Sequence, residues 1–454
     1  MRSLTRPTMK TFTTLLVLFA FTSRSEAAQF YFEKDASLPL VYITAAFKGG
    51  ATQDPEGKTG VSSLMGKMML RGTKNKTKQQ IDLALDAMGG SLDFETRAEF
   101  IAFRGMVLAD QLPNFLSLLA EILTSPSFRS QELERLKKEE ISSLLNELSN
   151  DRNLARLRFD ETFFKGHPFS KPSNGKLKDL KDLSIADIQS QFQKLIHDES
   201  MIVLATGSAE ENSFQTLLQS IRQKRPGAAK TQSVPEFAGE PGKLRVMIFD
   251  KPDRTQTQVV IGQKGVSIRH PDLDALQLAN HAFGAGGFQA RLMVELRVKR
   301  GWTYGAGSAF RLGTTPHSWK VSFFPKNADT PAAIREALRM IEDLGKKGLT
   351  EQEFENSKKS LLNGAGFNFN TPAKRMENRL TEILFGLPDG YFRDFANRLS
   401  GITREQVNSA LAAFVRPDRL MVGLVGTAKI SKAAIAKALE IPESRIEVQN
   451  YQKE

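Results

Sequence analysis

The stretch from Gly60 to Thr73, GVSSLMGKMMLRGT, decides how the rest of the chain is interpreted. Apolar residues recur in it at i, i+3, i+4, i+7 and i+8, which predicts a helix with one continuous apolar face. Ser63, Gly66 and Lys67 stand at i, i+3 and i+4, so they share the other side of that helix. Serine, glycine and lysine at this spacing are not the groups that a catalytic helix usually presents.

The pattern of the stretch, G-[VL]-x-x-x-x-x-x-M-x-x-[KR]-G-T, resembles the zinc helix of the pitrilysin, insulinase and mitochondrial processing peptidase family. In that family the corresponding three positions form an inverted zinc motif, H-x-x-E-H, with two histidine ligands and a glutamate base. Here they are Ser63, Gly66 and Lys67. The resemblance therefore implies a family member that has lost its zinc site, and we expect no metal and no cofactor in this chain.

The family has a further glutamate ligand downstream, and Glu147, in LLNEL, lies near that position. Glu140, one heptad earlier, also fits. One interpretation is that both residues belong to the solvated surface of a helix. The other is that Lys67 and Glu147 form an ion pair at the former zinc site, where the ammonium replaces the charge of the metal.

The second half of the chain matches the family better. Residues 283–292 read FGAGGFQARL, and residues 295–304 read ELRVKRGWTY. Together they resemble the family pattern LGGG-x-x-SRL-x-x-x-LR-x-x-x-G-L-x-Y. The resemblance implies a substrate-binding loop that contains Gly284, Gly286 and Gly287.

The same resemblance implies that Arg297 and Tyr304 reach across to a substrate bound at zinc. A guanidinium and a phenol are suitable donors to a peptide carbonyl or a developing oxyanion. The alternative is structural: Arg297 would form a surface salt bridge, and Tyr304 would be a packed strand aromatic.

An internal repeat predicts the domain organisation. The segment LSIADIQSQFQKLIHDESMIVLATGSA, from Leu183, matches GITREQVNSALAAFVRPDRLMVGLVGTA, from Gly401, and QELERLK, from Gln131, matches QEFENSK, from Gln352. Two matches in the same order indicate a duplicated domain rather than a short-period solenoid. We predict an α+β fold of two homologous domains, each a mainly antiparallel sheet with helices packed on one side, facing each other across a cleft.

The predicted boundaries follow from this repeat. Residues 28–225 form the first domain, which carries the degenerate zinc helix, and residues 243–450 form the second, which carries the Arg/Tyr pair. Residues 226–242, which are rich in Pro and Gly, form the linker. Residues 1–27 have a basic start, a short apolar run and a small-x-small site, which is typical of a signal peptide. The mature chain is therefore expected to be exported, periplasmic or secreted, without an integral membrane segment.

Composition excludes several classes of function. The chain has no cysteine, so disulfides, thiolate catalysis and cysteine-zinc sites are excluded. None of its five histidines stands at ligand spacing with another on one predicted helix. Its net charge of +12 comes from interspersed acidic and basic residues, which does not indicate a nucleic-acid partner.

Two functions remain open at this stage. The first is the zinc-less subunit of an exported two-chain metallopeptidase, a heterodimer in which a catalytic partner supplies zinc and H-x-x-E-H. In that case Arg297 and Tyr304 contact the peptide substrate in trans, and this chain is inactive alone. The second is a stand-alone peptide-binding, chaperone-like or structural protein that captures extended segments on a sheet edge.

Overall fold

The computed structural model describes residues 28–453, and the predicted signal peptide lies outside them. The first half of the chain builds one sheet from five strands: β1 (Gln29–Lys34), β2 (Leu40–Lys48), β3 (Ser91–Thr96), β4 (Phe100–Leu108) and β5 (Met201–Gly207). The second half builds another from six strands: β6 (Arg245–Asp250), β7 (Gln258–Lys264), β8 (Thr303–Arg311), β9 (Ser318–Pro325), β10 (Met421–Gly426) and β11 (Ile446–Asn450).

Helices fill the connections between these strands. Those of the first half are α1 (Val61–Met69), α2 (Lys78–Ala87), α3 (Leu112–Thr124), α4 (Ser130–Ser149), α5 (Asp151–Phe163), α6 (Leu177–Asp182), α7 (Ile185–Leu195) and α8 (Gln215–Lys224). Those of the second half are α9 (Leu273–Asn280), α10 (Arg291–Met293), α11 (Thr330–Lys347), α12 (Glu351–Gly364), α13 (Pro372–Phe385), α14 (Phe395–Ser400), α15 (Arg404–Phe414) and α16 (Ala428–Ala438). Two π-helical segments, His281–Ala285 and Val294–Lys299, continue α9 and α10.

The two halves have the same strand order. The first sheet runs β1-β5-β2-β4-β3, and the second runs β6-β10-β7-β9-β8 with β11 added beside β6. The repeat found in the sequence corresponds to α7 with β5 and to α15 with β10. The predicted pair of homologous α+β units is therefore confirmed.

The sheets are mixed rather than purely antiparallel, which refines the prediction. Strands β1 and β5 pair in parallel, as do β6 and β10, and β6 and β11. The remaining pairs are antiparallel. Parallel neighbours need a long crossover connection, which the helices between the first and last strands of each half provide.

Each sheet has a core of its own on the face that its own helices cover. The opposite face is covered by a helix from the other half. Helix α5 packs Leu154 and Phe159 on the second sheet, and α13 packs Met376 and Leu380 on the first. A Cβ atom at Gly262, in β7, would lie 2.8 Å from the Phe159 ring, so this close approach requires a glycine.

The segment between α8 and β6 contains no helix or strand. It is nevertheless packed, because Phe237 is buried against Phe163 and Phe164 with ring centroids 5.3 and 4.8 Å apart. Within residues 28–453, no helix combines the length and the apolar content that crossing a membrane requires.

Candidate functional site

Helix α1 begins where a buried carboxylate caps it. Gly60 has a φ of 100° and precedes the first helical residue. Asp54 accepts hydrogen bonds from the Gly60 amide (2.7 Å), the Ser62 amide (3.1 Å) and the Ser62 hydroxyl (2.5 Å). Burial raises the pKa of Asp54 to about 6, although these hydrogen bonds act in the opposite direction. The cap therefore fixes the helix start at the cost of burying an ionisable group.

The three former zinc-motif positions lie in the first half, and two of them belong to its interior. Ser63 is only 3% exposed. Gly66 is buried beneath the Phe94 ring of β3: a Cβ atom at position 66 would lie 1.9 Å from Phe94 Cζ. The space that the family's glutamate base would need is therefore filled by an aromatic ring.

Lys67 pairs with Glu140, not with Glu147. Its Nζ lies 2.5 Å from Glu140 Oε2, and both side chains are partly buried. Glu147 instead accepts a hydrogen bond from Asn174 Nδ2 at 3.2 Å. The predicted Lys67–Glu147 pair is therefore wrong. Glu147 follows Glu140 by two helical turns, about 10 Å along α4, which places it beyond the reach of the ammonium.

These residues do not fit a zinc ion. Ser63 and Lys67 are poor ligands, and Gly66 provides no side chain to act as a base. Within residues 28–453, no group of three or more His, Cys, Asp or Glu side chains is arranged to hold a metal ion. That the purified chain neither retains zinc nor cleaves peptides stays a prediction.

In the second half, Arg297 and Tyr304 lie side by side. Arg297 Nη1 donates to the main-chain carbonyl of Tyr304 at 2.7 Å, and its guanidinium stacks over the Phe288 ring at 4.7 Å. The Tyr304 side chain is 70% exposed. Among the described residues Arg297 has no ion-pair partner. The salt bridge and the packed aromatic of the structural alternative are therefore both absent, while a role in substrate contact stays a prediction.

Exposed apolar side chains concentrate around this pair. Phe288, Val298 and Tyr304 are each at least 65% exposed. Arg297 contacts the Phe288 ring and the Tyr304 main chain and precedes Val298 in the chain, and we call these four residues the Arg297 patch. Contiguous exposed apolar surface commonly marks a contact site for another molecule.

The three glycines of the predicted loop have different surroundings. Gly284 is buried, and a Cβ atom there would lie 2.4 Å from Ser308 Oγ, so it allows the helix to approach β8 closely. Gly286 lies against His281, and Gly287 is exposed with a φ of 66°. Gly286 lines a separate cavity that Glu353 also lines. None of the three lines the two cavities between the halves, so their predicted role as a substrate-binding loop stays a prediction.

The cleft contains two adjoining cavities, of about 860 Å³ and about 410 Å³. Both are bordered by Arg156 of α5 and by Gly307 and Ser322 of β8 and β9, and Tyr304 lines the smaller one. Glu147 lines the larger one. The α5 residues were not predicted from the sequence, although Arg152, Arg156 and Asp160 stand at i, i+4 and i+8 and so mark a polar helix face.

Comparison with known proteins agrees with this architecture. A family model described as insulinase, peptidase family M16, matches residues 30–174, and one described as peptidase M16 inactive domain matches residues 182–361. The chain belongs to the M16 peptidase family. Its residues 182–361 match the model of an inactive domain, and Ser63, Gly66 and Lys67 do not provide the ligands of the family's metal site.

Two relatives and one solved structure illustrate the range of similar proteins. A protein named non-peptidase homolog YmxG, from Helicobacter pylori, is 22% identical over 88% of this chain and 92% of its own length. Subunit 1 of the mitochondrial cytochrome b-c1 complex from Bos taurus is 24% identical over 55% of this chain and 52% of its own length. The crystal structure of a peptidase M16 inactive domain from Pseudomonas fluorescens has a TM-score of 0.81 at 22% identity, covering 88% of this chain and 96% of that one.

Proposed function

We propose that this chain is the zinc-less subunit of an exported two-chain M16-type metallopeptidase. A catalytic partner supplies H-x-x-E-H and the zinc ion, and this chain supplies Arg297 and Tyr304 to the peptide substrate. The observation that carries the proposal is the contrast between a filled zinc-motif helix and an Arg/Tyr pair whose phenol remains 70% exposed.

The chemistry of the pair suits this role. Arg297 uses one Nη1 hydrogen bond to hold the Tyr304 carbonyl, and its remaining N–H groups stay available as donors. The Tyr304 hydroxyl is free to donate to a carbonyl oxygen whose negative charge grows as the tetrahedral intermediate forms. Both residues act here as hydrogen-bond donors, and the general base of the reaction comes from the partner.

Association with a partner is supported by the exposed Arg297 patch and by the relatives. The bovine relative is named as a subunit of a larger complex. Export rests on the signal-like residues 1–27, which are typical of secreted precursors. We therefore place the complex in the periplasm or outside the cell.

A stand-alone peptide-binding protein, chaperone-like or structural, is the second candidate. It is favoured by one observation: the cleft is formed within a single chain, with walls from both halves. Such a protein would bind extended segments without cleaving them.

Reconstitution distinguishes the two candidates. A neighbouring reading frame with an intact H-x-x-E-H and a broken Arg/Tyr pair is expressed with this chain, and cleavage of a quenched fluorescent peptide is measured for each protein alone and for the mixture. We expect zinc-dependent cleavage only in the mixture. Full activity of the partner alone, or tight zinc and chelator-sensitive cleavage in this chain alone, would overturn the proposal.

A further inference from the structure

The floor of the cleft is a glycine-rich sheet surface. Strand β8 is the last strand of its sheet, and the outward side of its main chain is already occupied by its own half. Arg297 donates to the Tyr304 carbonyl (2.7 Å), Asn280 donates to the Ser308 carbonyl (3.3 Å), and the Ala306 amide donates to Met293 Sδ (3.1 Å). Gly307 pairs with Ser322, and Ala309 pairs with Lys320 of β9. Small side chains at Gly305, Gly307 and Ala309 leave this surface accessible. An extended peptide can therefore lie close against this face of the sheet.

The walls of the cleft are basic. The larger cavity is lined by five basic side chains and two acidic ones; they are Arg97, Arg156, Lys171, Arg311, Lys320, Glu147 and Asp160. The smaller cavity adds Arg152 and no acidic residue. A groove with low-dielectric walls and an excess of one charge concentrates ligands of the opposite charge.

The acidic residues of the cleft do not neutralise this excess. Asp160 is shared by Lys320, at 2.6 Å, and Arg311, at 3.4 Å. Glu147 faces an amide rather than a cation. Arg156 is exposed and has no hydrogen-bond or ion-pair partner among the described residues. The positive charge of Arg156 is therefore left uncompensated at the point where the two cavities meet.

The basic side chains of the cleft also repel one another. Burial lowers the pKa of Lys320, and the charges of Arg311 and Arg156 add to that lowering, while Asp160 opposes it. A carboxylate bound between Arg156 and Arg311 would offset this repulsion.

We propose that the cleft selects extended peptide segments rich in Asp and Glu. The segment would lie along β8, with its carboxylates toward Arg156 and Arg311 and its main chain over the glycine-rich face of the strand. This inference rests on the proposed function in one respect. Tyr304 lies at the rim of this cleft, so the segments that the cleft binds would be the substrates to which Tyr304 donates. It concerns binding by this chain and does not require a catalytic partner.

Binding to the isolated, full mature chain tests the inference. The probes are three fluorescent peptides of one length, acetylated and amidated so that their ends carry no charge, with the same apolar residues and with Glu, Gln or Lys at the remaining positions. Anisotropy titration gives each affinity. We expect the Glu peptide to bind at least about tenfold more tightly than the Gln peptide, and its affinity to fall as the ionic strength rises.

Two charge reversals localise the effect. Arg156→Glu lies in the cleft, and Arg335→Glu lies at an exposed position of α11, a helix that packs against α15 and α16. We expect Arg156→Glu to weaken binding of the Glu peptide by about tenfold or more, and Arg335→Glu to change it by less than about twofold. Circular dichroism checks that both variants fold.

Several results would overturn the inference: equal binding of the Glu and Gln peptides, no binding of any peptide, or equal losses in the two variants. Tighter binding of a single-stranded oligonucleotide of matched charge would also overturn it, because the site would then recognise phosphate. Each of these results is compatible with zinc-dependent cleavage by the reconstituted complex. Conversely, failure of reconstitution leaves charge-selective binding by this chain as a separate observation.

Discussion

Helix α1 in the first half and the Arg297 patch in the second half have opposite surroundings. Position 66 on α1 lies under the Phe94 ring, whereas Tyr304 on β8 is 70% exposed. In the first region the side chains have become part of the packing. In the second, two aromatic rings and a guanidinium remain at the surface. Burying these rings would remove more apolar area from water, which is favourable.

The difference separates a region used for packing from the region to which the proposed function assigns binding. A chain required only to fold gains nothing from leaving Phe288 and Tyr304 exposed. Conversely, a chain required to hold zinc could not place an aromatic ring over the position of its base. The four changes below test this comparison, from the largest expected effect to the smallest.

Tyr304→Phe removes only the phenolic hydroxyl of the exposed pair. If this donor stabilises an oxyanion in the reconstituted complex, we expect kcat to fall by about 10² to 10³-fold or somewhat less, since losing one such donor typically costs this much. Subunit association should not change. Tyr42→Phe, in the first sheet, is the matched control. Unchanged kcat in both variants would mean that Tyr304 has no catalytic contact and would favour the stand-alone peptide-binding protein.

Gly66→Glu restores the family's base at a position that Phe94 now fills. The new side chain overlaps the ring and brings in a carboxylate, so we expect the free energy of unfolding to fall by about 3–5 kcal/mol. Gly364→Glu, at an open position of α12 with no atom within 4 Å of an added Cβ, should cost far less. Urea denaturation measures both.

Replacing Phe94 as well sharpens this test. Phe94→Ala should recover part of the loss in the Gly66→Glu background, because it removes the clashing ring. A Gly66→Glu variant as stable as the parent would show that the ring moves aside easily, and that α1 is not filled as described.

Asp54→Asn tests the cap that starts α1. The pKa of this carboxyl is raised from 3.8 to about 6 in the folded chain, so the folded state holds the proton more tightly than the unfolded state. Ionisation of Asp54 therefore costs stability as the pH rises from about 4 to about 6, by up to about 3 kcal/mol. The parent should lose stability relative to Asp54→Asn across this range, whereas the exposed Asp110→Asn should follow the parent. A constant difference between the parent and Asp54→Asn would contradict the raised pKa.

Lys67→Met has the smallest expected effect. The Lys67–Glu140 pair is partly exposed, so we expect its loss to cost about 1 kcal/mol or less. A double-mutant cycle should give a coupling energy between Lys67→Met and Glu140→Gln. It should give none between Lys67→Met and Glu147→Gln. Coupling to Glu147 would reverse the assignment made from the structure.

The sequence predicted the fold well because its signals were periodic and repeated. The apolar spacing in Gly60 to Thr73 identified α1, and the repeat between Leu183 and Gly401 identified two units with the same elements. The parallel pairing of β1 with β5 was not predicted, because strand direction depends on which distant segments meet and not on local pattern.

The site was less predictable, because its contacts join residues far apart in the chain. No sequence feature near Gly66 indicates that the Phe94 ring occupies the space beside it. The spacing of Glu140 and Glu147 allowed either residue to form the ion pair with Lys67. The basic cleft was missed because its charges come from α5 in one half and from β8 and β9 in the other. On α5 alone, the i, i+4 pair Arg152 and Arg156 looks like any solvated helix face.

The exchange of α5 and α13 between the halves has a consequence for the width of the cleft. A hinged enzyme adapts its opening to the ligand by swinging one domain away from the other, but here such a swing would pull Phe159 off the second sheet and Met376 and Leu380 off the first. Both faces would then meet water at once. The energetic cost of opening is therefore that of separating two apolar interfaces together, which favours a cleft of constant width.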